Sequence, residues 1–231
     1  MNPLPSPSQR LAVLISGGLD SAILLAESLG QYRAVFPLYV RMGLAWETVE
    51  LRYLRRFLEA IHRPALQPLH ILDLPVGDLY GGHWSITGED VPDEDSPDEA
   101  VFLPGRNVLL LSKGMLWCHL HDVPALALGH LGSNPFPDAT PAFFATFEKI
   151  TNQAVEGVVQ VRRPYAGLSK TAVMHRGRGL PLEWTYSCIR PVAGKHCGRC
   201  NKCAERRRAF SDAGLADRTV YTERAELQLD S

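Results

Sequence analysis

Residues 11–30 read LAVLISGGLDSAILLAESLG, and this stretch decides the fold class. LAVLI (11–15) is a short apolar run that ends at a Gly-rich turn, and the good helix formers that follow stop at Gly30. The order is strand, loop, helix, and it recurs along the chain. AVFPLYVR (34–41) precedes ETVELRYLRRFLEAIHR (47–63), where Val49, Tyr53, Leu54, Phe57, Leu58 and Ile61 repeat at helical spacing. ALQPLHILDL (65–74) reads as a third strand, 107–122 as a helix, 124–131 as a strand, 141–157 as a helix and 158–165 as a strand. Strands and helices alternating at these lengths predict an α/β fold, a doubly wound and mostly parallel sheet covered on both faces. Such sheets bind ligands beyond the carboxyl ends of their strands.

Composition is that of an ordinary globular chain: 231 residues, 45% hydrophobic, 21% charged, formal net charge −1. That balance argues against a global field for nucleic acid, so direct nucleic-acid binding is not expected. No apolar run approaches the ~20 residues a membrane span needs. The opening MNPLPSPSQR (1–10) lacks an apolar signal centre and reads as a disordered leader, and a cytoplasmic address follows by default. The stretch 75–100 is acidic, rich in Gly and Pro and without period, and is expected to be a mobile surface loop with a solvated acid run. Regular alternation ends near 180. The expected organisation is therefore a nucleotide-binding α/β domain over 11–180 and a small metal-binding C-terminal subdomain over 181–231.

The turn Ser16-Gly17-Gly18-Leu19-Asp20-Ser21 sits where the sheet presents its ligand edge. Glycines let the backbone approach an anion and adopt positive φ. The amides of the loop and first helical turn then point at that anion, and Ser16 and Ser21 add hydroxyl donors. Asp20 is out of place in an anion cradle unless it engages a cation such as Mg²⁺ or shapes the loop. A plain strand-to-helix turn with a Ser or Asp cap is the duller alternative. The full string is similar to the pyrophosphate loop of the ATP pyrophosphatase (PP-loop) superfamily, whose members adenylylate an oxygen. The Walker pattern G-x-x-x-x-G-K-[ST] does not occur.

Of five cysteines, Cys188, Cys197, Cys200 and Cys203 stand as C-x8-C-x2-C-x2-C. Four thiolates with no open position describe a structural Zn²⁺ site. The alternatives are an iron–sulfur cluster, although the ferredoxin run continues to a Cys-Pro absent here, and redox-active thiols. Lys195, Arg199 and Lys202 would offset thiolate charge, and His196 could compete for the ion. Cys118, in an apolar helix, reads as a core residue.

The SGGxDS loop combined with this cysteine pattern resembles the 7-cyano-7-deazaguanine synthases, the QueC family. LPGRN (103–107), FPDA (136–139) and AFSDAGLADRTVY (209–221) fit the same pattern, so the resemblance runs from about 11 to 221. It implies an adenine nucleotide alpha hydrolase-like, Rossmann-type sheet with an appended zinc-binding segment. It also implies an ATP-dependent ligase that turns 7-carboxy-7-deazaguanine and ammonia into the nitrile 7-cyano-7-deazaguanine, a queuosine precursor, through adenylylated intermediates. ATP and Mg²⁺ would be used, structural Zn²⁺ carried, and a homodimer formed. By the resemblance Ser16, Gly17, Gly18, Leu19, Asp20, Ser21 and Asn107 hold the nucleotide. Asp20, Lys170 and Arg106 are the catalytic candidates, and Asp138 and Arg106 meet the acceptor. Read without the resemblance, Arg106 and Asn107 cap a helix and Lys170 is a first-turn residue.

The chain also departs from the family phrase. Ala139 and Thr140 stand where Cys-Arg usually follows Pro-Asp, and VRMGLAWE (40–47) replaces an Asp-Tyr-Gly-Gln phrase. A lost arginine removes a bidentate carboxylate clamp, which Arg162 or Arg163 would have to replace. The adenylylating part is thus expected intact and the acceptor pocket altered, which leaves a different acceptor, small molecule or protein, as an alternative. Further alternatives are a tRNA-modifying PP-loop enzyme and a silent nucleotide-binding subunit.

Overall fold

A computed structural model describes residues 10–132 and 134–222. The expected leader lies outside them apart from Arg10, which already belongs to the first strand. The strands β1 (Arg10–Leu14), β2 (Ala34–Arg41), β3 (His70–Asp73), β4 (Ala125–Leu128) and β5 (Gln160–Arg162) form one sheet in the order β3-β2-β1-β4-β5. Every pairing is parallel. The helices are α1 (Leu19–Ser28), α2 (Glu47–Ala60), α3 (Gly77–Tyr80), α4 (Trp84–Thr87), α5 (Arg106–Leu120), α6 (Pro141–Val155), α7 (Lys170–Arg176) and α8 (Asn201–Asp212).

Side chains alternate across the sheet, as a strand's period of two requires. On β1, Ala12 and Leu14 join one core with Leu38, Leu126, Leu111 and Met115. Leu11, Val13 and Ile15 join the other with Ile23, Phe57, Val173 and Phe210. Helix α5 therefore covers one face, and α1, α2 and α7 cover the other. The sheet is doubly wound, as the alternating runs predict. Cys118 is fully buried in the first core.

β2 coincides with its apolar run and β1 is shifted by one residue, whereas β3, β4 and β5 are shorter than theirs. Pairing of β2 with the chain before β3 lapses after Gln67 donates to Val35 and resumes at Leu38–His70. In between, Pro37 and Pro68 offer no N–H. At the far edge, Asn152 of α6 takes both backbone groups of Val159, at 2.9 Å each. Glu148 accepts from the Val161 amide. Helix side chains there replace the missing neighbour strand. The 75–100 stretch is not the featureless loop its composition suggests: it holds α3, α4 and a 3-10 turn at Asp98–Val101. Asp93 bridges to Cys200, Pro92 accepts from the Asn201 amide, and Glu94 pairs with Arg207 at 2.6 Å. Asp93, Asp95, Asp98 and Glu99 still face solvent, as an acid run should.

Among the described residues no helix is long and apolar enough to cross a membrane. The strand order reverses at β1, whose neighbours β2 and β4 send the chain opposite ways and open a crevice at their carboxyl ends. Gly129, just past β4, packs there against the first turn of α1. A Cβ on it would stand 2.7 Å from the Asp20 carbonyl carbon and 2.8 Å from the Ser21 nitrogen. Because backbone cannot yield as a side chain can, Gly129→Ala is expected to cost about 1–3 kcal/mol in urea unfolding. It should weaken nucleotide binding at the same time, measured by calorimetric titration.

Candidate active site and metal centre

The turn after β1 is held open rather than self-satisfied. Gly17 has φ +73°, which only glycine adopts cheaply, and a Cβ there would also meet Glu50 Cγ at 2.9 Å. Ser21 Oγ donates to the Gly18 carbonyl and accepts from the Ser16 amide, at 3.3 Å each. This brings the Ser16 and Ser21 hydroxyls within 3.4 Å of each other. The N-cap residue of α1, Gly18, has no side chain to cap the helix, so the amides of Leu19, Asp20 and Ser21 find no acceptor within it. Ser16, Gly18, Leu19 and Asp20 line a cavity of about 370 Å³, and Ser16, Gly18, Asp20 and Arg106 are shared with a lobe of about 210 Å³ that Ser21 also borders. Those amides, two hydroxyls and the helix dipole are what a pyrophosphate group requires.

Charges of both signs face one another at the cavity mouth. Lys170 Nζ donates to both Asp20 oxygens, at 2.9 and 2.7 Å, and stands 3.7 Å from Glu205, which Lys202 pairs at 2.7 Å. Burial raises the Asp20 pKa, and the Lys170 charge offsets this only in part. Burial would also raise Glu205, but Lys202 and Lys170 together outweigh it and bring its pKa below the ordinary value. A phosphate entering the turn would meet Lys170 already in place and compete with Asp20 for it.

Arg106 opens α5 and lines both lobes, and its buried Nε has no hydrogen-bond partner among the described residues. Asn107 also borders the inner lobe. Its backbone amide donates to Asp138 Oδ2 and its side chain to the Asp138 carbonyl, both at 2.9 Å. Asp138 is buried and caps α5 instead of lining the cavity. Thr140, at the departed family position, caps α6 by accepting from the Phe143 amide. The two proposed substitute arginines are engaged elsewhere: Arg162 donates to the Tyr32 hydroxyl and Arg163 lies over the Phe144 ring at 4.5 Å. The arginines at the cavity are Arg106 and Arg206.

Several cavity residues were missed by sequence reasoning. Trp46 and Trp84 stack with centroids 5.8 Å apart, 19° from parallel, and form an aromatic wall with Phe136 and Tyr186. His130, just beyond Gly129, has both ring nitrogens buried and unpartnered among the described residues. Glu50 is buried within hydrogen-bonding reach of Tyr39, whose hydroxyl donates to Oε2 at 2.5 Å. Glu47 accepts the Met42 and Gly43 amides at 2.6 and 2.7 Å. A signal for Glu50 was present: it stands three and four residues before Tyr53 and Leu54, on the apolar stripe of α2, where a carboxylate needs a reason.

Cys188, Cys197, Cys200 and Cys203 are all buried, and none is in a disulfide. Their sulfurs lie within 4.8 Å of one another, with Cys197–Cys203 at 3.9 Å and Cys188–Cys200 at 3.8 Å. A tetrahedral ion with metal–sulfur bonds of ~2.3 Å sets its sulfurs roughly 3.8 Å apart. Backbone amides of Arg190 and Cys197 donate to Cys188 Sγ, and those of Arg199 and Cys200 to Cys197 Sγ, which favours thiolates. The set fits a four-coordinate ion with no open position. His196 does not join it: its Nε2 accepts from the Ser187 amide at 3.2 Å, and burial beside Arg206 pushes its pKa down to about 2. The same segment carries α8, and with it Lys202 and Glu205. Cys200→Ser should therefore lose bound metal, lower the melting temperature and weaken nucleotide binding together. Full metal content in that variant, by plasma mass spectrometry, would contradict the assignment of these thiols as ligands.

Comparison with known proteins agrees with this geometry. The family model described as queuosine biosynthesis protein QueC matches residues 10–214. A 7-cyano-7-deazaguanine synthase of Solidesulfovibrio magneticus is 33% identical, covering 92% of this chain and 96% of its own. One of Methanothermobacter thermautotrophicus is 31% identical, covering 93% and 100%. The fold is similar to that of a 4-thiouridine synthetase solved with RNA and bound ATP (TM-score 0.50, 15% identity), covering 89% of this chain and 51% of that one. By its sequence over nearly its whole length, and with its glycine turn and cysteine cluster placed as described, this chain belongs to the QueC family.

Proposed function

We propose that this chain is an ATP-dependent carbon–nitrogen ligase that converts 7-carboxy-7-deazaguanine and ammonia to 7-cyano-7-deazaguanine. One observation carries the reading beyond family membership: the uncapped turn Ser16–Ser21 opens into the same cavity as Lys170, Arg106 and an aromatic wall. A carboxylate is a poor electrophile until its oxygen becomes a leaving group. Attack of that oxygen on the α-phosphorus of ATP expels pyrophosphate and leaves an acyl adenylate, from which ammonia displaces AMP to give the amide. A second adenylylation, on the amide oxygen, sets up elimination to the nitrile.

In this reading Ser16, Gly17, Gly18, Leu19, Asp20 and Ser21 hold the departing pyrophosphate, and Asn107 borders the nucleotide. Lys170 moves from Asp20 to the phosphate oxygens as charge develops, the fixed-donor stabilisation that accelerates such transfers. Arg106, with its unpaired Nε, takes the acceptor's carboxylate or the α-phosphate, and Asp138 serves by fixing the start of α5. Mg²⁺ would shield the phosphates beside Asp20. Zn²⁺ is the ion proposed for the four cysteines, ordering the segment that presents Lys202 and Glu205. A cytoplasmic location and a homodimer complete the proposal.

A second reading has its own support. Thr140 caps a helix, and neither Arg162 nor Arg163 reaches the cavity, so the acceptor end differs from the family phrase and the acceptor itself can differ. The two readings part in one assay with 7-carboxy-7-deazaguanine, ammonia, ATP and Mg²⁺, followed by mass spectrometry. AMP, pyrophosphate and nitrile together support the first. AMP without nitrile supports the second, and no ATP turnover with any carboxylate contradicts both. Lys170→Ala is expected to lower kcat about 10²- to 10³-fold, the usual cost of one transition-state donor, with little change in melting temperature.

A further inference from the structure

We propose that the Glu50 carboxylate takes the proton from ammonia as it attacks the activated carbon in this cavity. The inference rests on the ligase reading and assigns a residue that the reading left without a role. Glu50 lines both lobes, and its carboxyl carbon lies 3.7 Å from where a Gly17 Cβ would stand. That places it beneath the turn proposed to hold the pyrophosphate, in the same cavity as Lys170 and Arg106. Its hydrogen bond among the described residues comes from the Tyr39 hydroxyl to Oε2, which leaves Oε1 without a partner there. The neighbouring Glu47 is consumed by two backbone amides, and Asp20 is held by Lys170. Among the described residues, Glu50 is the cavity carboxylate next to the turn that keeps an oxygen uncommitted.

The step balances. The nitrogen lone pair forms the C–N bond, and the ammonium proton of the tetrahedral adduct passes to Glu50 Oε1. The C–O bond to AMP then breaks, with its electron pair leaving on AMP. In the second round the adenylylated amide first loses one N–H proton to solvent, giving a neutral imidoyl adenylate. The same carboxylate, after releasing its own proton to solvent, accepts the remaining N–H proton as C≡N forms and the C–O bond to AMP breaks, its electron pair leaving on AMP. The groups facing Glu50 are Tyr39 from β2, Glu47 from its own helix, Arg106 from α5 and Tyr186 from the segment before the metal loop. Burial pushes the Glu50 carboxyl up to about 8, against the pull of the Tyr39 hydroxyl and Arg106. This is the range in which a general base works best.

The test separates the two half-reactions in Glu50→Gln and Glu50→Asp. Acceptor-dependent ATP–pyrophosphate exchange reports adenylylation, and amide plus nitrile report ammonia transfer. Glu50→Gln should exchange within about threefold of wild type yet form product roughly 10²- to 10³-fold more slowly, with Glu50→Asp recovering part of that loss. Wild-type product formation, referred to free ammonia, should rise with pH and level off above about 8, the value burial gives Glu50; Glu50→Gln should show no such rise. Product formation by Glu50→Gln at the wild-type rate would overturn the proposal. So would an equal loss of exchange and product, which marks Glu50 as a support for the turn. Wild-type enzyme that neither exchanges nor forms product would instead contradict the ligase reading beneath it.

Discussion

The Tyr186 amide donates to the Gly17 carbonyl at 2.7 Å, and the rest of the site depends on that contact. Gly17 can face its carbonyl toward the C-terminal segment only because positive φ is open to it. With that carbonyl taken by the C-terminal segment, the residues around it are left to line the cavity. Tyr186 is two residues before Cys188, so the contact also ties the anion turn to the cysteine cluster. The turn and the cysteine segment are one construction. Sequence distance conceals this, because the partners stand at opposite ends of the chain.

Charge organises what the backbone leaves open. Asp20, Lys170, Glu205 and Lys202 form a chain from the first turn of α1 to the first turn of α8. Partly buried, it carries a desolvation cost that the pairing offsets incompletely, as the raised Asp20 pKa shows. In the proposed function an arriving phosphate would take Lys170 from Asp20, an exchange that an incompletely compensated pair permits. Arg206 shows the opposite design. Its guanidinium donates to Thr219, Thr185, Ser187 and the Leu182 carbonyl, and this commits it to holding α8 against the cavity wall.

The parallel sheet was legible because each strand–helix unit carries its own period, and the turn because Gly, Ser and Asp have local reasons to be there. The cysteine cluster was legible because three of its members, Cys197, Cys200 and Cys203, stand three residues apart in sequence. Contacts made at long range were hidden. Glu50 and Tyr39 lie on different elements, and only the fold brings them together. Trp46 and Trp84 read as ordinary apolar residues in two unrelated segments. The 75–100 stretch was misread because its composition is that of a loop, whereas its order comes from elsewhere: Asn201, Arg207 and the Cys200 backbone hold it down. The start of β3 was overrun because Pro37 and Pro68 interrupt its pairing with β2, which no apolar count records.

The central claim is that the Ser16–Ser21 turn grips the pyrophosphate end of ATP so that AMP passes to an oxygen of the acceptor. Oxygen tracing tests it most directly. With both carboxyl oxygens of 7-carboxy-7-deazaguanine replaced by ¹⁸O, every AMP released on the way to the nitrile should carry one heavy oxygen, and the pyrophosphate none. Unlabelled AMP, or heavy oxygen recovered in inorganic phosphate alongside ADP, would contradict it.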